Sequence, residues 1–483
     1  MAGLFGVSVN SSVGSNYFRD ILYWGTFYVR HLGEDHSGLA SADKYKLICK
    51  SSPGFFAANF ANKMKDFSGN GGIGYCGSSA EPFQAKRSRF GSFAICFNGN
   101  ITNFKKLTKE FDDSGHLFER SDDVELIAKI IAQERSIING IKLVQKKVEG
   151  AYSFLLLNKD KIYAVRCSAG QWPLIIGTHR RERATIVSSE SGGFDNLDFN
   201  IVREVIPGET ICFSNGDYKV MIKPDKSNHK KCSFYPCYTS NPAALVNDKP
   251  ATLVRKELGA CLAKRDIANG LCPHVIIPVP DSGRFHAIGY NQEFAVAMMK
   301  GEITRLPFYD EWLIKYGFIR SFLGQSDGER KSRAFHKILI TAETINDFLN
   351  ILARKGLNQI WQDILKNKRI IIVVCDDSVV RGTQIGENLG PKIKSISKLT
   401  TAGGIKIEVE IHVRASYPEL RSRCPYGKTT RDGEVLAEST PRLEDRAKKL
   451  KVESLLYNTL DDLFNVLGQN KAGFCYECAL PSK

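Results

Sequence analysis

At 483 residues the chain is long enough for two or three domains, each with its own core. Its 43% hydrophobic and 25% charged residues are ordinary for a globular protein, and no run approaches the roughly 20 apolar residues of a membrane span. The net charge of +15 is spread, with 30 basic against 24 acidic residues in positions 1–230 and 37 against 28 beyond; without a basic arm or stripe, this speaks against nucleic acid, and a small polyanionic substrate explains a basic site equally well.

The N-terminus, MAGLFGVSVNSSVGSNYF, lacks the basic region and long apolar core of a signal peptide, so a cytoplasmic protein is expected. Thirteen cysteines, an odd number without framework spacing, argue against a secreted disulfide protein. Cys49, Cys96, Cys212 and Cys261 sit in apolar runs as small core residues. The first part of the chain has the texture of short strands and turns, interrupted by helical stretches around Phe18–Arg30 and Val124–Val148. AYSFLLL-NKD-KIYAVRC is a hairpin by its turn signal, and REVIPGETICFSNGDYKVMI is strand-like around an NGD turn. The polar stretch KPDKSNHKKC (223–232) is the linker candidate.

Beyond it, helix alternates with short apolar strand. ATLVRKELGACLAKRDIA reads as helix, HVIIPVP as strand, TINDFLNILARKGLNQIWQDILK as helix and RIIIVV as strand. IGENLGPKIKSI then reads as helix and KIEVEIHVR as strand. This is the rhythm of a parallel, doubly wound sheet, in which ligands bind outside the carboxyl ends of the strands. HVIIPVPDSG and IIIVVCDDSVVRGT both carry their polar residues at that end.

In VVCDDSVVRGTQ (373–384) a buried strand ends in two adjacent carboxylates, which repel each other unless a cation or a set of hydroxyls lies between them. Asp376 and Asp377 can accept vicinal hydroxyls, directly or through Mg²⁺. Ser378 to Thr383 offer backbone N–H groups, two hydroxyls and Arg381 at a helix start, where a phosphate is favoured. In PVPDSGR, Gly283 lets the backbone approach a second anion and Ser282 supplies an oxygen for it or for a metal. A diol between two phosphate groups, as in phosphoribosyl pyrophosphate (PRPP), satisfies all of these. The plainer reading of a lone acidic pair is a capping turn in solvent, which does not account for the whole string.

DDSVVRGT resembles the PRPP-binding motif of type I phosphoribosyltransferases, and PVPDSG resembles the pyrophosphate loop of one family, the glutamine amidophosphoribosyltransferases that begin purine biosynthesis. The resemblance runs through nearly the whole chain: MAGLFGV, GEDHSGLA, CFNGNITNFKKL, VEGAYSFLLL, AGQWPLIIG, SSESGGFDNLDFNIVREVIPGE, FIRSFL and VESLLYNTLDDLF with FCYEC follow in family order. It implies an α+β N-terminal-nucleophile, class II glutamine amidotransferase-like layered sandwich over 1–230. An α/β type I phosphoribosyltransferase domain would follow over 231–440, with a CxxC tail over 441–483 packed on it. PRPP would be bound by Asp281, Ser282, Gly283, Asp376, Asp377, Ser378, Arg381, Gly382 and Thr383. Mg²⁺ would sit at Ser282, Asp376 and Asp377, and lid residues would be Lys315 and Arg320.

The first domain departs from the family. Its nucleophile is a cysteine after the initiator Met, where this chain has Ala2. Leu32 replaces an arginine, Gly77 stands at or near the arginine that clamps the glutamine carboxylate, and Cys167 replaces an acid expected to hold the amino group. Asn98 and Gly99, the oxyanion-side pair, are retained. Cys76 or Cys167 could stand in as nucleophile but lacks a free N-terminal amine as base. The glutaminase domain is therefore expected to be inactive. Near the lid, the segment is one residue shorter and lacks an arginine near Gly317, and Gln384 stands where a second Thr is usual.

Several family members carry a four-iron four-sulfur cluster, whose ligands would fall on Cys232, Cys424, Cys475 and Cys478; zinc accepts four thiolates as readily. Cys237 is a spare neighbour of the first. The resemblance thus implies formation of phosphoribosylamine from PRPP and free or partner-supplied ammonia, with nucleotide effectors and a homo-oligomeric state. The rivals are transfer to another amine, and a non-catalytic PRPP- or nucleotide-binding regulator of an active homologue.

Overall fold

Apolar strand positions between Gly3 and Ile222 build two sheets packed face to face. The computed structural model describes residues 1–224, 229–315, 338–339, 347–352, 358–389, 399–400, 406–427, 430, 433–468 and 470–481. Among the described residues, one antiparallel sheet runs in the order Phe199–Glu204, Ile175–His179, Ala184–Ser188, Gly3–Val9, Gly71–Gly77, His36–Ala42, Leu47–Pro53. The other runs Asp217–Ile222, Thr210–Ser214, Lys161–Arg166, Gly150–Asn158, Phe93–Ile101, Phe83–Ala85. Leu4, Ile73, Tyr75 and Val187 from the first meet Leu155, Leu157, Ala164 and Ile211 from the second in the inter-sheet core. Phe18, Ile21 and Leu22 of helix Ser15–Tyr28 cover the outer face of the first sheet. Val124, Ile127, Ile131, Ile141 and Val144 cover that of the second. The order is helix, sheet, sheet, helix.

The hairpin at NKD forms as expected, with Asn158 opposite Lys161, and so does the pair around Asn215–Gly216, with Ser214 opposite Asp217. The single helix expected over Val124–Val148 is instead two, Asp123–Gln133 and Ile137–Lys147. The Ser136 hydroxyl accepts the Asn139 N–H and starts a second helix there. A further helix, Phe104–Asp113, lies in the stretch read as strand.

The second half is built on a parallel sheet ordered Phe308–Tyr309, Val275–Pro278, Arg369–Asp376, Lys406–Ala415, Ser454–Tyr457, with Leu399–Thr400 antiparallel at Lys406–Ala415. β-Branched RIIIVV suits a strand buried on both faces. Ile370, Ile372 and Val374 pack into one face with Trp312, Ile360 and Leu450. Val373 and Cys375 pack into the other with Leu262, Tyr290 and Phe294. Helix Ala251–Ala268 has the bounds read from the sequence. It lies against helix Arg284–Met299 at Gly259 and Gly289, where an added Cβ would come within 1.9 Å of the carbonyl oxygen of His286 or Lys256. The last helices of the sequence reading are described only at residues 347–352, Asn358–Asn367 and Gln384–Leu389.

The tail packs back on this half: Leu463, Phe464 and Phe474 join Val254, Leu258 and Tyr417 in one core. Cys232 lies opposite Cys475 in a short parallel pair, Lys231–Cys232 with Phe474–Cys475. The end of the expected linker is therefore anchored, and Lys231 Nζ also donates to Glu204 and Asn247. No helix among the described residues is long and apolar enough to cross a membrane.

Candidate functional site

The parallel sheet reverses direction of growth beside its second strand: the chain goes from Val275–Pro278 outward to Phe308–Tyr309, then returns to place Arg369–Asp376 on the other side. Such a switch point leaves a crevice at the carboxyl ends of the two strands. PVPDSG and DDSVVRGT leave the sheet at that crevice. Pro278 is paired with Cys375, the Val279 N–H donates to the Cys375 oxygen at 2.8 Å, and a Cβ on Gly283 would come within 2.1 Å of the same oxygen. Only glycine allows that approach.

The geometry brings Ser282 to the acidic pair: its Oγ donates to Asp376 Oδ1 at 3.0 Å. The Asp377 N–H donates to the same oxygen at 2.9 Å, and Ser378 Oγ donates to Asp377 Oδ2 at 2.5 Å. Asp376 and Asp377 are 6% and 4% exposed. Burial, then the neighbouring Asp377 charge, holds the Asp376 carboxyl well above the usual aspartate range. Burial also raises Asp377, against hydrogen bonds from Ser378, Asp376 and Ser282 and the charge of Arg255. Two buried carboxylates with hydroxyl neighbours make a donor set that suits a hard cation or a diol.

Gly382 takes a left-handed φ of 75°, and Thr383 is half-buried beside it. Arg381 does not extend along the loop; its Nε and Nη2 reach Glu434 Oε2 at 3.0 and 2.5 Å. Asp281 (φ 64°) accepts Lys315 Nζ at 2.6 Å. Arg320 lies outside the described residues.

Ala2 is buried on the first sheet, its N–H donating to Asn98 Oδ1 at 2.9 Å. A cavity of about 140 Å³ opens there, lined among others by Met1, Tyr75, Ser79, Glu81, Asn98 and Gly99. A Cβ at Gly77 would come within 2.1 Å of the Tyr75 hydroxyl and 2.8 Å of the Ala2 Cβ. Tyr75 thus occupies the space into which a larger residue 77 would extend. Cys76 points to the opposite face, packed among helix-side residues with its thiol on the Thr26 carbonyl and its ionisation opposed by burial. Leu32 is in that same core. Cys167 does not line the cavity; its sulfur accepts the Tyr152 and Gly170 N–H groups. The cavity's acids are instead Glu81, Asp122 and Asp123, which sequence reasoning missed. Burial pushes Glu81 up to about 8, and Asp122 is engaged by Arg120 and the Glu125 N–H.

Cys232, Cys424, Cys475 and Cys478 share one neighbourhood: burial, then the other three cysteines, pushes the Cys232 thiol far up. Backbone N–H groups point at these sulfurs, from Phe234 to Cys232, from Tyr426 and Gly427 to Cys424, and from Glu477 to Cys475. Cys237 is buried in the core with Val254 and Leu258, against which Cys478 also packs, and its thiol donates to the Ser233 carbonyl. Among the described residues, no three or more His, Cys, Asp and Glu side chains converge closely enough to hold a single metal ion.

A family model described as a glutamine amidotransferase domain matches residues 75–196. The chain is 28% identical to the amidophosphoribosyltransferase of Methanocaldococcus jannaschii, over 99% of this chain and 96% of that protein. It is 29% identical to the chloroplastic amidophosphoribosyltransferase 3 of Arabidopsis thaliana, over 94% of this chain and 79% of that one. Among solved structures, the glutamine PRPP amidotransferase of B. subtilis, complexed with ADP and GMP, superposes with a TM-score of 0.77 at 24% identity, covering 99% of this chain and 96% of that chain. The fold is that of an N-terminal-nucleophile glutamine amidotransferase sandwich joined to a phosphoribosyltransferase unit.

Proposed function

We propose that this chain, which belongs to the amidophosphoribosyltransferase family, is a pentosyltransferase of purine-biosynthesis type that makes phosphoribosylamine and pyrophosphate from PRPP and ammonia. The ammonia is free or supplied by a partner, because the chain's own glutaminase is lost. The observation that carries this reading is the meeting of Ser282 with Asp376 and Asp377 at the switch point of the parallel sheet. Residues 1–230 form the inactive amidotransferase-like domain, 231–440 the transferase and 441–483 its tail.

In this reading the two carboxylates hold the ribose diol and, with Ser282, a Mg²⁺ ion. Their buried, mutually repelling state fits such a cation. Mg²⁺, when bound, neutralises charge on the leaving pyrophosphate. The N–H groups of 281–283 and the N-terminus of helix Arg284–Met299 face the pyrophosphate, and Ser378 to Thr383 take the 5′-phosphate. Arg381 is paired with Glu434 and would exchange that carboxylate for the phosphate.

Loss of the glutaminase is supported by Ala2, which has no thiol, and by Cys76 and Cys167, which lie in other surroundings. The four cysteines, with N–H groups aimed at their sulfurs, support a four-iron four-sulfur cluster held by Cys232, Cys424, Cys475 and Cys478. Nucleotides of the kind seen in the B. subtilis relative are proposed effectors, and a cytoplasmic homo-oligomer the working form. The test is pyrophosphate release that requires PRPP, Mg²⁺ and ammonia together and that glutamine cannot support. Release independent of any amine would count against it.

A further inference from the structure

A second group of charges stands at the edge of the PVPDSG loop, apart from the paired aspartates. Lys315 Nζ lies 2.6 Å from Asp281 Oδ2. Arg284, the first residue of its helix, donates through Nε and Nη2 to the two oxygens of Glu311, each at 2.9 Å. Tyr309 OH donates to Glu311 Oε1 at 3.1 Å. The Asp281 carboxylate also acts electrostatically on Arg284, so the two ion pairs are neighbours. Two cations and two carboxylates therefore flank the loop on which the proposed function places pyrophosphate.

These pairs are open to water: Arg284 and Glu311 are 43% and 42% exposed, and Asp281 is 57% exposed. Water and salt screen exposed pairs, so a multiply charged anion can displace the single carboxylate. A pyrophosphate carries several charges and can engage an arginine fork as a carboxylate does, with more charge behind it. Arg284 directly follows Gly283, whose backbone is pressed against the Cys375 carbonyl, so its Cα is placed beside the loop while its long side chain reaches out to Glu311 at the solvent-exposed edge. The helix N-terminus beneath it favours the same anion.

We propose that Arg284 is a pyrophosphate-binding residue of this chain, held by Glu311 in the free protein and exchanged onto the anion when it enters, as Lys315 is exchanged from Asp281. Glu311 is then a competitor for the binding cation. This rests on the transferase reading and adds to it a residue and a partner-exchange step.

The two roles of Glu311 predict opposite signs. If it only braces the loop, removing its charge loosens the site and weakens binding. If it competes, removing its charge strengthens binding. Calorimetric titration of the full chain with magnesium pyrophosphate measures this, with circular dichroism checking that each variant is folded. We expect Arg284→Ala to weaken binding ten- to a hundred-fold and Glu311→Gln to tighten it several-fold. The pair Arg284→Ala/Glu311→Gln should match Arg284→Ala, since no cation remains to release. Unchanged affinity in Arg284→Ala, or weaker binding in Glu311→Gln, overturns the inference while leaving the transferase site standing. A wild-type chain that binds no magnesium pyrophosphate overturns both.

Discussion

Replacing Asp376 by Asn should separate binding from stability in opposite directions. In the ligand-free protein the Asp376 carboxyl is buried beside Asp377 and its ionisation is opposed by burial and by that neighbouring charge. The folded chain holds this proton more tightly than the unfolded chain does. The pair's favourable contribution is thus full at acid pH, below the ordinary aspartate range, and is lost as pH rises through the raised value. Asparagine keeps an Oδ1 acceptor for the Ser282 hydroxyl and the Asp377 N–H, now 3.0 and 2.9 Å away. It also offers Asp377 a permanent N–H donor in place of a shared proton. Near neutral pH, Asp376→Asn should stabilise the ligand-free protein by about 1–3 kcal/mol, the penalty of an ill-compensated buried polar group. That raises the melting temperature by roughly 2–10 °C for a unit of this size. PRPP with Mg²⁺ at a hundred times its Kd should stabilise the wild type by about 2.7 kcal/mol and the variant by little or nothing. Scanning fluorimetry at pH 5 and 7.5, with and without PRPP and Mg²⁺, reads all of this. A variant less stable than wild type at pH 7.5, or one stabilised equally by the ligand, would refute the reasoning.

The purified chain should release no glutamate from glutamine, and Ala2→Cys alone should not restore release, because Tyr75 occupies the space beside Gly77; robust release by either protein would sink the lost-glutaminase reading. Gly77→Arg should lower the melting temperature unless Tyr75 is shortened as well, since even its Cβ would overlap the Tyr75 hydroxyl; an unchanged melting temperature in the single variant would show that the cavity can open. Protein purified without oxygen should be brown, with iron and sulfide in near-equal amounts, and Cys475→Ser/Cys478→Ser should lose both and loosen the tail; colourless protein holding stoichiometric zinc would decide against the cluster.

The strands and loops of the transferase crevice were legible because their signals are local. RIIIVV followed by two aspartates, and HVIIPVP followed by DSG, each state a strand, its end and its polar load within a dozen residues. The meeting of Ser282 with Asp376 follows once the two strands are neighbours. The helix Phe104–Asp113 carries its own signal in Phe104, Leu107 and Phe111 at helical spacing, but only Thr102 and Asn103 separate it from the strand Phe93–Ile101, so its start is hidden in a strand-rich texture. The break at Ser136 depended on one cap inside an otherwise continuous apolar pattern. What the sequence could not show was set by long-range packing. Glu81, Asp122 and Asp123 reach the cavity from separate segments. Arg381 is taken by Glu434, 53 positions away. Cys167, read as standing in place of an acid of the glutamine site, lies off the cavity lining, with its sulfur accepting two backbone N–H groups.

The central claim is a PRPP-dependent transferase that uses ammonia directly. Its most direct measurement is the initial rate of pyrophosphate release from PRPP and Mg²⁺ at fixed total ammonium, taken across a series of pH values. The account predicts a rate that rises with the unprotonated fraction of ammonia, vanishes without Mg²⁺, and is not supported by glutamine. A rate no higher than the amine-free blank at every pH, in protein shown to bind PRPP, would contradict it.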